Sequence, residues 1–271
     1  MDSYFFVPGN RLHKINDALI AETAHIIIDM EDAIKESEKY TILKQLEEEP
    51  NYKNHYIRIP IYDIFGKIDT SNFEYLLSLG YTKFVLPKLL SLDNFQLVFP
   101  VFEKKTVEII LLIETPRFLM EVKDVLLRFK PYIVGIGIGS HDFMSIIGGI
   151  HSLQNLEYPR QQILYLARLI DVKAIDFASM ELSDAKIFET ELIDGFQKGY
   201  DGKFLIHPWQ LQILRNTNFY TLQDYTWALS INEKLDQVGK PSEFSPIIID
   251  GQVIEKMHLK KVNKILQLYK K

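Results

Sequence analysis

The chain has 271 residues, of which 47% are hydrophobic and 25% are charged. This balance indicates a folded soluble protein and excludes disordered and fibrous classes, and the formal net charge of −5 does not indicate a nucleic-acid-binding surface. Cysteine is absent, which excludes disulfides, thiolate nucleophiles and cysteine metal ligands and fits a reducing compartment. The first residues carry no secretory signal pattern and no apolar run could span a bilayer, so we expect a cytoplasmic protein without membrane partners.

Eight short apolar runs, each ending in polar residues, recur along the chain. They are rich in Ile, Val and Phe and continuous rather than alternating, which predicts strands buried on both faces, as in a parallel sheet. The runs are residues 4–7, 25–28, 56–59, 84–86, 108–113, 133–138, 174–177 and 204–206.

Helical patterns lie between these runs. They cover residues 11–22, 37–48, 70–79, 92–102, 116–129, 142–147 with 160–169, 183–198, and a group from 208 onward. Eight strand–helix repeats in this length predict an α/β fold, a closed (β/α)8 TIM barrel with a short C-terminal extension. The glycines at 135, 137 and 139 lie within a strand and lack dinucleotide-binding spacing, so they indicate room for a neighbour or ligand.

The segment 239–251, with Pro241 and Pro246, is the best candidate for a break in the barrel pattern. It predicts a barrel domain over residues 1–238 and an extension over 239–271, which we interpret as a lid that contacts a neighbouring subunit. The last part, residues 252–271, reads as a short strand followed by a basic helix with a solvated face.

Polar residues at the carboxyl ends of barrel strands are the candidates for chemistry, because barrel enzymes place their reactive groups there. These residues are Asn10, Arg11, Asp29, Glu31, Asp32, Arg58, Lys88, Glu114, Asp142 and His207. Glu114 and Asp142 follow neighbouring strands and could offer oxygen ligands to Mg²⁺. Arg58 could bind a carboxylate or an enolate through a bidentate pair of hydrogen bonds.

Other interpretations of the same residues stay open. Glu114, Asp142 and Arg58 could equally form salt bridges at the barrel rim. For Asp29, Glu31 and Asp32 we favour a structural role in which these acids stabilise the N-terminus of the following helix. For His207, which precedes Pro208, we favour a structural histidine held by a hydrogen bond in a tight turn.

Seven short motifs occur in one order along the chain. They are FVPGNR at 6–11, DMEDA at 29–33 with Glu38 and Lys39, RIP at 58–60, LPK at 86–88, IET at 113–115, GSHDF at 139–143 and YDGKFLIHPWQ at 200–210. In this order they resemble the citrate lyase beta-subunit-like branch of the HpcH/HpaI aldolase/citrate lyase family, over nearly the whole chain.

The resemblance implies Mg²⁺ or, alternatively, Mn²⁺ bound by Glu114 and Asp142, with Arg58 contacting the keto-acid or enolate oxygen. It implies cleavage of a citryl-, citramalyl- or malyl-like thioester to an acetyl thioester and a keto acid, with CoA as a possible part of the substrate. It also implies a homo-oligomer, with a trimer favoured. We expect Lys88, Asn10 and Arg11 to contribute to substrate binding.

Three positions depart from the family pattern. Asp2 stands where relatives often carry Arg, and His141 stands where they often carry Glu next to the metal ligand. Glu255 stands where a C-terminal lid often carries a catalytic Asp that reaches a neighbouring subunit. Two alternative functions therefore remain: a pyruvate-type class II aldolase of the same superfamily, and a non-catalytic barrel that binds a keto acid or an acyl carrier.

Overall fold

The computed structural model describes residues 1–238, 246–249 and 251–269. Eight parallel strands form a closed barrel in which each strand pairs with the next along the chain and β8 pairs with β1. The strands are β1 Asp2–Pro8, β2 His25–Asp29, β3 Tyr56–Arg58, β4 Lys83–Leu86, β5 Glu108–Ile113, β6 Ile133–Ile138, β7 Lys173–Asp176 and β8 Gly202–Leu205. The predicted (β/α)8 barrel is thereby confirmed.

Helices follow the strands on the outside of the barrel. They are α1 Asp17–Glu22, α2 Glu36–Glu48, α3 Ser71–Ser78, α4 Leu92–Val98, α5 Pro116–Phe129, α6 Ser140–Ile147, α7 Glu157–Ile170, α8 Ala185–Lys198 and α9 Pro208–Asn216. The helix expected over residues 11–22 is interrupted: a 3₁₀ turn covers Gly9–Lys14, and α1 begins after Asn16. The interruption occurs because the Asn16 side chain accepts the Leu19 N–H and caps a new helix.

Two apolar layers explain why the strand sequences are continuous rather than alternating. Phe6, Ile110 and Leu112 belong to the cluster inside the barrel, whereas Ile109 and Leu111 pack in the larger cluster between strands and helices. A strand of a closed parallel barrel is covered on both faces, so both sets of side chains are apolar.

The glycines of β6 allow close approach inside the barrel, as expected. A Cβ at Gly137 would lie 2.4 Å from the Phe204 ring. The next glycine along, Gly139, directly follows the strand beside the side chain of Glu114, and a Cβ there would lie 2.3 Å from Glu114 Oε1. No side chain fits at either position without displacing a neighbour.

The contacts divide the chain into two compact units, Met1–Arg215 and Asn216–Lys271. The second unit contains helix α10 Leu222–Val238, the antiparallel strands β9 Ile247–Ile249 and β10 Gln252–Ile254, and helix α11 His258–Leu268. Its core comprises Ala228, Ile231, Ile254, Val262 and Ile265. The boundary expected at 238/239 stays a prediction, since much of segment 239–251 lies outside the described residues. Within the described residues, no helix is long and apolar enough to span a bilayer.

Candidate metal and substrate site

A cavity of about 310 Å³ opens at the carboxyl ends of the barrel strands. The predicted metal ligands Glu114 and Asp142 line it together with Arg58 and His141. Glu114 directly follows β5, Asp142 lies in the first turn of α6, and Arg58 ends β3. Strands of a parallel barrel end at one rim, so residues that are far apart in sequence meet in this one cavity.

Glu114 is a buried carboxylate held in a fixed position. Its side chain is only 2% exposed, it accepts a hydrogen bond from the backbone N–H of Lys88, and Gly139 leaves the space that it occupies. Burial, and next the negative charge of Glu31, raise the pKa of Glu114 to about 8. The ionised form of Glu114 is therefore unfavourable unless a positive charge lies beside it.

The charge of Arg58 lowers the pKa of Glu114, but no described side-chain cation forms an ion pair with this carboxylate. Arg58 and Lys88 lie at the same rim but pair with other acids, and no ion pair in the described part of the chain includes Glu114 or Asp142. The charge of Asp142 also raises the pKa of Glu114, so the two carboxylates repel each other. Hard oxygen ligands with uncompensated negative charge fit a divalent cation such as Mg²⁺.

The donor set also leaves room for substrate. Among the described residues, no group of three or more His, Cys, Asp or Glu side chains is gathered as a metal site. Mg²⁺ is often bound by one or two carboxylates and completes its coordination with water and substrate oxygens. A site with two carboxylates thus matches this cation better than a closed structural metal site.

Arg58 is fixed by acids on β2 and the loop that follows it. Its Nε and Nη2 donate to the two carboxylate oxygens of Asp29 at 2.8 and 2.6 Å, and Nη1 lies 3.1 Å from Glu31 Oε2. Burial opposes the charge, but the hydrogen bond to Asp29 together with the negative charges of Asp29, Glu31 and Asp32 outweighs it and raises the pKa of Arg58. A guanidinium has five N–H donors, so donors remain for a ligand in the cavity.

The interpretation of Asp29, Glu31 and Asp32 as helix N-terminal residues is wrong. Helix α2 begins at Glu36, after Lys35, whereas Glu31 and Asp32 both form ion pairs with Lys88 and Arg58. Burial raises the pKa of Glu31 to about 7. The acids of this motif therefore hold the two cations of the rim, and the sequence alone did not reveal this.

The remaining predicted contacts lie elsewhere. Asn10 and Arg11 are exposed and do not line the cavity; Asn10 donates to Glu38 at 3.0 Å. Glu255 is an exposed residue of the second compact unit. Asp2 lies at the amino end of β1, opposite the cavity, where it pairs with Lys173 at 3.1 Å. Its difference from relatives therefore removes no contact at this rim.

Two histidines beside the metal ligands form a pair that the sequence did not predict. The rings of His141 and His151 stack at 4.0 Å, nearly parallel, and Ser140 Oγ lies 2.8 Å from His151 Nε2. Burial and the neighbouring His141 lower the pKa of His151 to about 4, so its ring is neutral. The stack fixes the ring of His141 at the cavity wall.

His207 has the structural role expected of it. Its Nδ1 accepts the backbone N–H of Trp209 at 3.2 Å in the turn between β8 and α9. It does not line the cavity at the carboxyl ends of the strands.

Comparison with known proteins agrees with the fold and the order of motifs. The model of the family described as HpcH/HpaI aldolase/citrate lyase matches residues 2–208. Citrate lyase subunit beta of Haemophilus influenzae is 24% identical over 93% of this chain and 91% of its own length. The human mitochondrial citramalyl-CoA lyase is 24% identical, over 87% of this chain and 76% of its own length.

A solved structure shares the fold over nearly the whole chain. The CitE protein of Mycobacterium tuberculosis, in complex with magnesium, acetoacetate and coenzyme A, superposes with a TM-score of 0.79 at 21% identity. The alignment covers 98% of this chain and 97% of that one. RipC of Yersinia pestis, at 22% identity, gives a TM-score of 0.67 over 82% of this chain and 95% of its own.

Proposed function

Because the chain belongs to the HpcH/HpaI aldolase/citrate lyase family, we propose that it is a magnesium-dependent carbon–carbon lyase. Its substrate is a hydroxyacyl thioester of the citryl, citramalyl or malyl kind, which it cleaves to an acetyl thioester and a keto acid. The observation that carries this proposal is the buried Glu114 beside Asp142, two carboxylates that line one cavity and form no ion pair with a described side chain.

Glu114 and Asp142 would hold the cation. When bound there, Mg²⁺ supplies a Lewis acid that polarises a carbonyl and stabilises negative charge that develops on its oxygen. Relatives support this choice, since solved CitE structures of Mycobacterium tuberculosis contain magnesium with acetoacetate and coenzyme A, with pyruvate, or with oxaloacetate.

Arg58 would orient the keto-acid half of the substrate. Asp29 and Glu31 hold its guanidinium in one plane at the cavity wall, so the donors that remain point in a fixed direction. A guanidinium fork matches the geometry of a carboxylate. Lys88 supports the same arrangement twice, through its backbone N–H to Glu114 and its ammonium group to Glu31.

The proposal extends to the assembly. We infer a homotrimer in which Glu255 acts as a lid residue on the neighbouring subunit, because it stands at the position of the lid Asp of relatives. The test mixes two inactive variants, Arg58→Ala and Glu255→Ala. Recovered activity supports a site shared between subunits, and no recovery in mixed oligomers, verified by mass spectrometry, overturns it.

The direct test of the activity is a thioester panel incubated with Mg²⁺, with keto-acid release read by mass spectrometry. Malyl-, citramalyl- and citryl-CoA are the probes, and the corresponding free acids are the matched controls. Release from thioesters alone is the expected result. A free 4-hydroxy-2-keto acid is a further probe: keto-acid release from it identifies a class II aldolase instead, and binding without product at any concentration identifies a non-catalytic barrel.

A further inference from the structure

The amino ends of the barrel strands surround a cavity of about 540 Å³, at the end of the barrel opposite the carboxylate site. This amino-end cavity is lined by the aromatic side chains of Tyr4, His25 and Tyr56, and by the apolar side chains of Val134 and Val172. Among the described residues, none lines both this cavity and the cavity beside the two carboxylates. The volume is typical of cavities that bind small molecules.

Three neighbouring strands bring the aromatic rings of this cavity together. Tyr4 pairs with His25 in the parallel register of β1 and β2, and Tyr56 begins β3. The rings of Tyr4 and His25 stack at 4.5 Å, and the ring of Tyr56 meets that of His25 edge-on at 5.8 Å. The Tyr56 hydroxyl is engaged, because it donates to Glu108 at 2.8 Å. The three rings thus form a fixed aromatic surface.

Tyr4 is nearly buried, yet its hydroxyl group is unpaired. The residue is 3% exposed, and Gly202 leaves the space for its ring, since a Cβ at Gly202 would lie 2.5 Å from Tyr4 Cε2. The hydroxyl forms no hydrogen bond with a described residue, and its oxygen is not sealed from the cavity. Burial, and next the negative charge of Asp2, raise the pKa of Tyr4. The hydroxyl therefore stays protonated and can donate a hydrogen bond to a molecule in the cavity.

His25 adds a second neutral polar group beside Tyr4. Its ring is partly exposed, and neither ring nitrogen has a hydrogen-bond partner in the part of the chain that the structure describes. Burial lowers the pKa of His25, so the ring is uncharged at neutral pH and has one N–H donor and one nitrogen acceptor. Polar groups in such a partly buried place cost free energy unless water or a ligand satisfies them.

The charged residues of the same cavity are already paired with each other. Arg168 lies 2.8 Å from Asp201, and Lys173 lies 3.1 Å from Asp2. Asp171, the remaining charged residue of the lining, is exposed to solvent, where water hydrates its charge. A charged ligand would have to break one of these pairs or lose its own hydration without a partner, and both are expensive. The amino-end cavity therefore favours an uncharged ligand, unlike the carboxylate site.

We propose that the amino-end cavity binds an uncharged, planar nitrogen heterocycle. The Tyr4 hydroxyl donates to an acceptor on the edge of the heterocycle, His25 forms a second hydrogen bond with it, and the flat face packs against the aromatic surface. Contacts between aromatic rings add stability beyond the apolar area that they bury. A planar ring with donors and acceptors on its edge matches both the aromatic surface and the two open polar groups. The site is independent of the proposed lyase activity.

The test titrates the protein with three such heterocycles, uracil, nicotinamide and hypoxanthine, and measures binding by ligand-observed NMR. We expect wild type to bind at least one of them with a Kd of roughly 1 mM or tighter. The matched control ligands are the corresponding mononucleotides, which should bind no more tightly than the free heterocycles because the cations of the cavity are paired. Absence of binding by all three heterocycles overturns the proposal, and a mononucleotide that binds tenfold more tightly than its heterocycle overturns the uncharged class.

Two variants locate the binding. Tyr4→Phe and His25→Phe each keep an aromatic ring and remove the polar atoms, and each should lower the affinity for the heterocycle by about fivefold, as expected for one neutral hydrogen bond. Tyr158→Phe is the matched control and should bind as wild type does, because Tyr158 is 58% exposed and does not line the cavity. Thermal unfolding of each variant verifies folding.

Binding that is unchanged in both Tyr4→Phe and His25→Phe lies elsewhere on the molecule and overturns the assignment of this cavity. Mg²⁺ titration of the same variants keeps the two sites apart, since a change confined to the amino-end cavity should leave the affinity for Mg²⁺ as it is in wild type. A heterocycle affinity that falls only together with the affinity for Mg²⁺ would show that the probe binds at the carboxylate site, and would overturn the proposal.

Discussion

Two charged clusters of the barrel differ in how their acids are paired. Behind β7 and β8, Arg160 pairs with Asp176 through two hydrogen bonds of 2.9 Å and with Asp194 at 2.6 Å, and the Lys203 ammonium lies 3.4 Å from Asp176. At the carboxyl ends of the strands, Glu114 and Asp142 have no such partners. Arg160, Asp176 and Lys203 are each 0% exposed, whereas Glu114 and Asp142 open onto a cavity.

The difference shows how to separate structural from functional charge. Acids that are matched by arginine and lysine in fixed geometry hold helices α7 and α8 against the barrel. Acids that are buried without a matching cation are stable only in protonated form or with a bound cation. The imbalance, rather than the burial or the number of charges, marks the site.

The strongest test of the unbalanced cluster is Glu114→Gln. Loss of a ligand to the cation that polarises the substrate should lower kcat by about a thousandfold, corresponding to several kcal/mol of lost charge stabilisation, and isothermal titration should show no Mg²⁺ binding. Glu108→Gln, at the other end of the same strand, is the control and should keep its activity. Normal turnover in Glu114→Gln contradicts the metal assignment.

In the cluster around Arg160, whose acids are paired with cations, we expect a substitution to lower the stability instead of the activity. Arg160→Met leaves Asp176 with only the more distant Lys203 and should lower the free energy of unfolding by about 3–5 kcal/mol, measured by urea denaturation. Arg168→Met, on the same helix, removes an exposed pair with Asp201 and should cost less than about 1 kcal/mol. Equal losses in the two variants would show that burial of the pair is unimportant.

Gly139→Ala tests whether the position of Glu114 matters separately from its charge. The added Cβ would lie 2.3 Å from Glu114 Oε1, so the carboxylate must move, and Mg²⁺ affinity should fall by roughly 10- to 100-fold, as for other changes that misorient a ligand. Gly135→Ala, in the preceding strand β6, brings a Cβ no closer than 3.2 Å to its neighbours. This variant should retain the Mg²⁺ affinity of the wild type. Unchanged affinity in Gly139→Ala would contradict a fixed ligand geometry.

The pKa of Glu114 gives the smallest effect, one that depends on pH. Because burial raises this pKa from 4.5 to about 8, the folded protein without metal loses stability as the pH rises from 4.5 through 8. Mg²⁺ requires the ionised form, so its affinity should weaken about tenfold between pH 7 and pH 6.

Thermal shifts with and without Mg²⁺ across this pH range measure both effects. Glu114→Gln is the control, because glutamine does not ionise. In this variant the stability should lack the fall with rising pH that Glu114 causes, and Mg²⁺ should not shift the melting temperature more as the pH rises. A wild-type Mg²⁺ affinity that is constant from pH 6 to pH 8 would contradict the raised pKa of Glu114.

The sequence by itself determined the fold. Eight apolar runs matched the eight strands to within two residues at each end, because burial on both faces of a barrel strand demands continuous apolar sequence. It also placed Glu114, Asp142 and Arg58 at strand ends, and a barrel topology brings all strand ends to one rim. Asn16 is a residue type that favours helix N-caps. The apolar pattern around it nevertheless predicts one uninterrupted helix over residues 11–22, whereas the structure has a helix that begins after Asn16.

The tertiary structure alone decided how the charges pair. The sequence could not reveal that Asp29 and Glu31 bind Arg58 rather than a helix terminus, since this depends on side chains from β2 and β3 meeting across 29 residues. For the same reason it could not reveal the ion-pair network around Arg160. Pattern in the chain fixes which faces are buried, whereas the partner of a buried polar atom depends on which strands and loops become neighbours when the barrel closes.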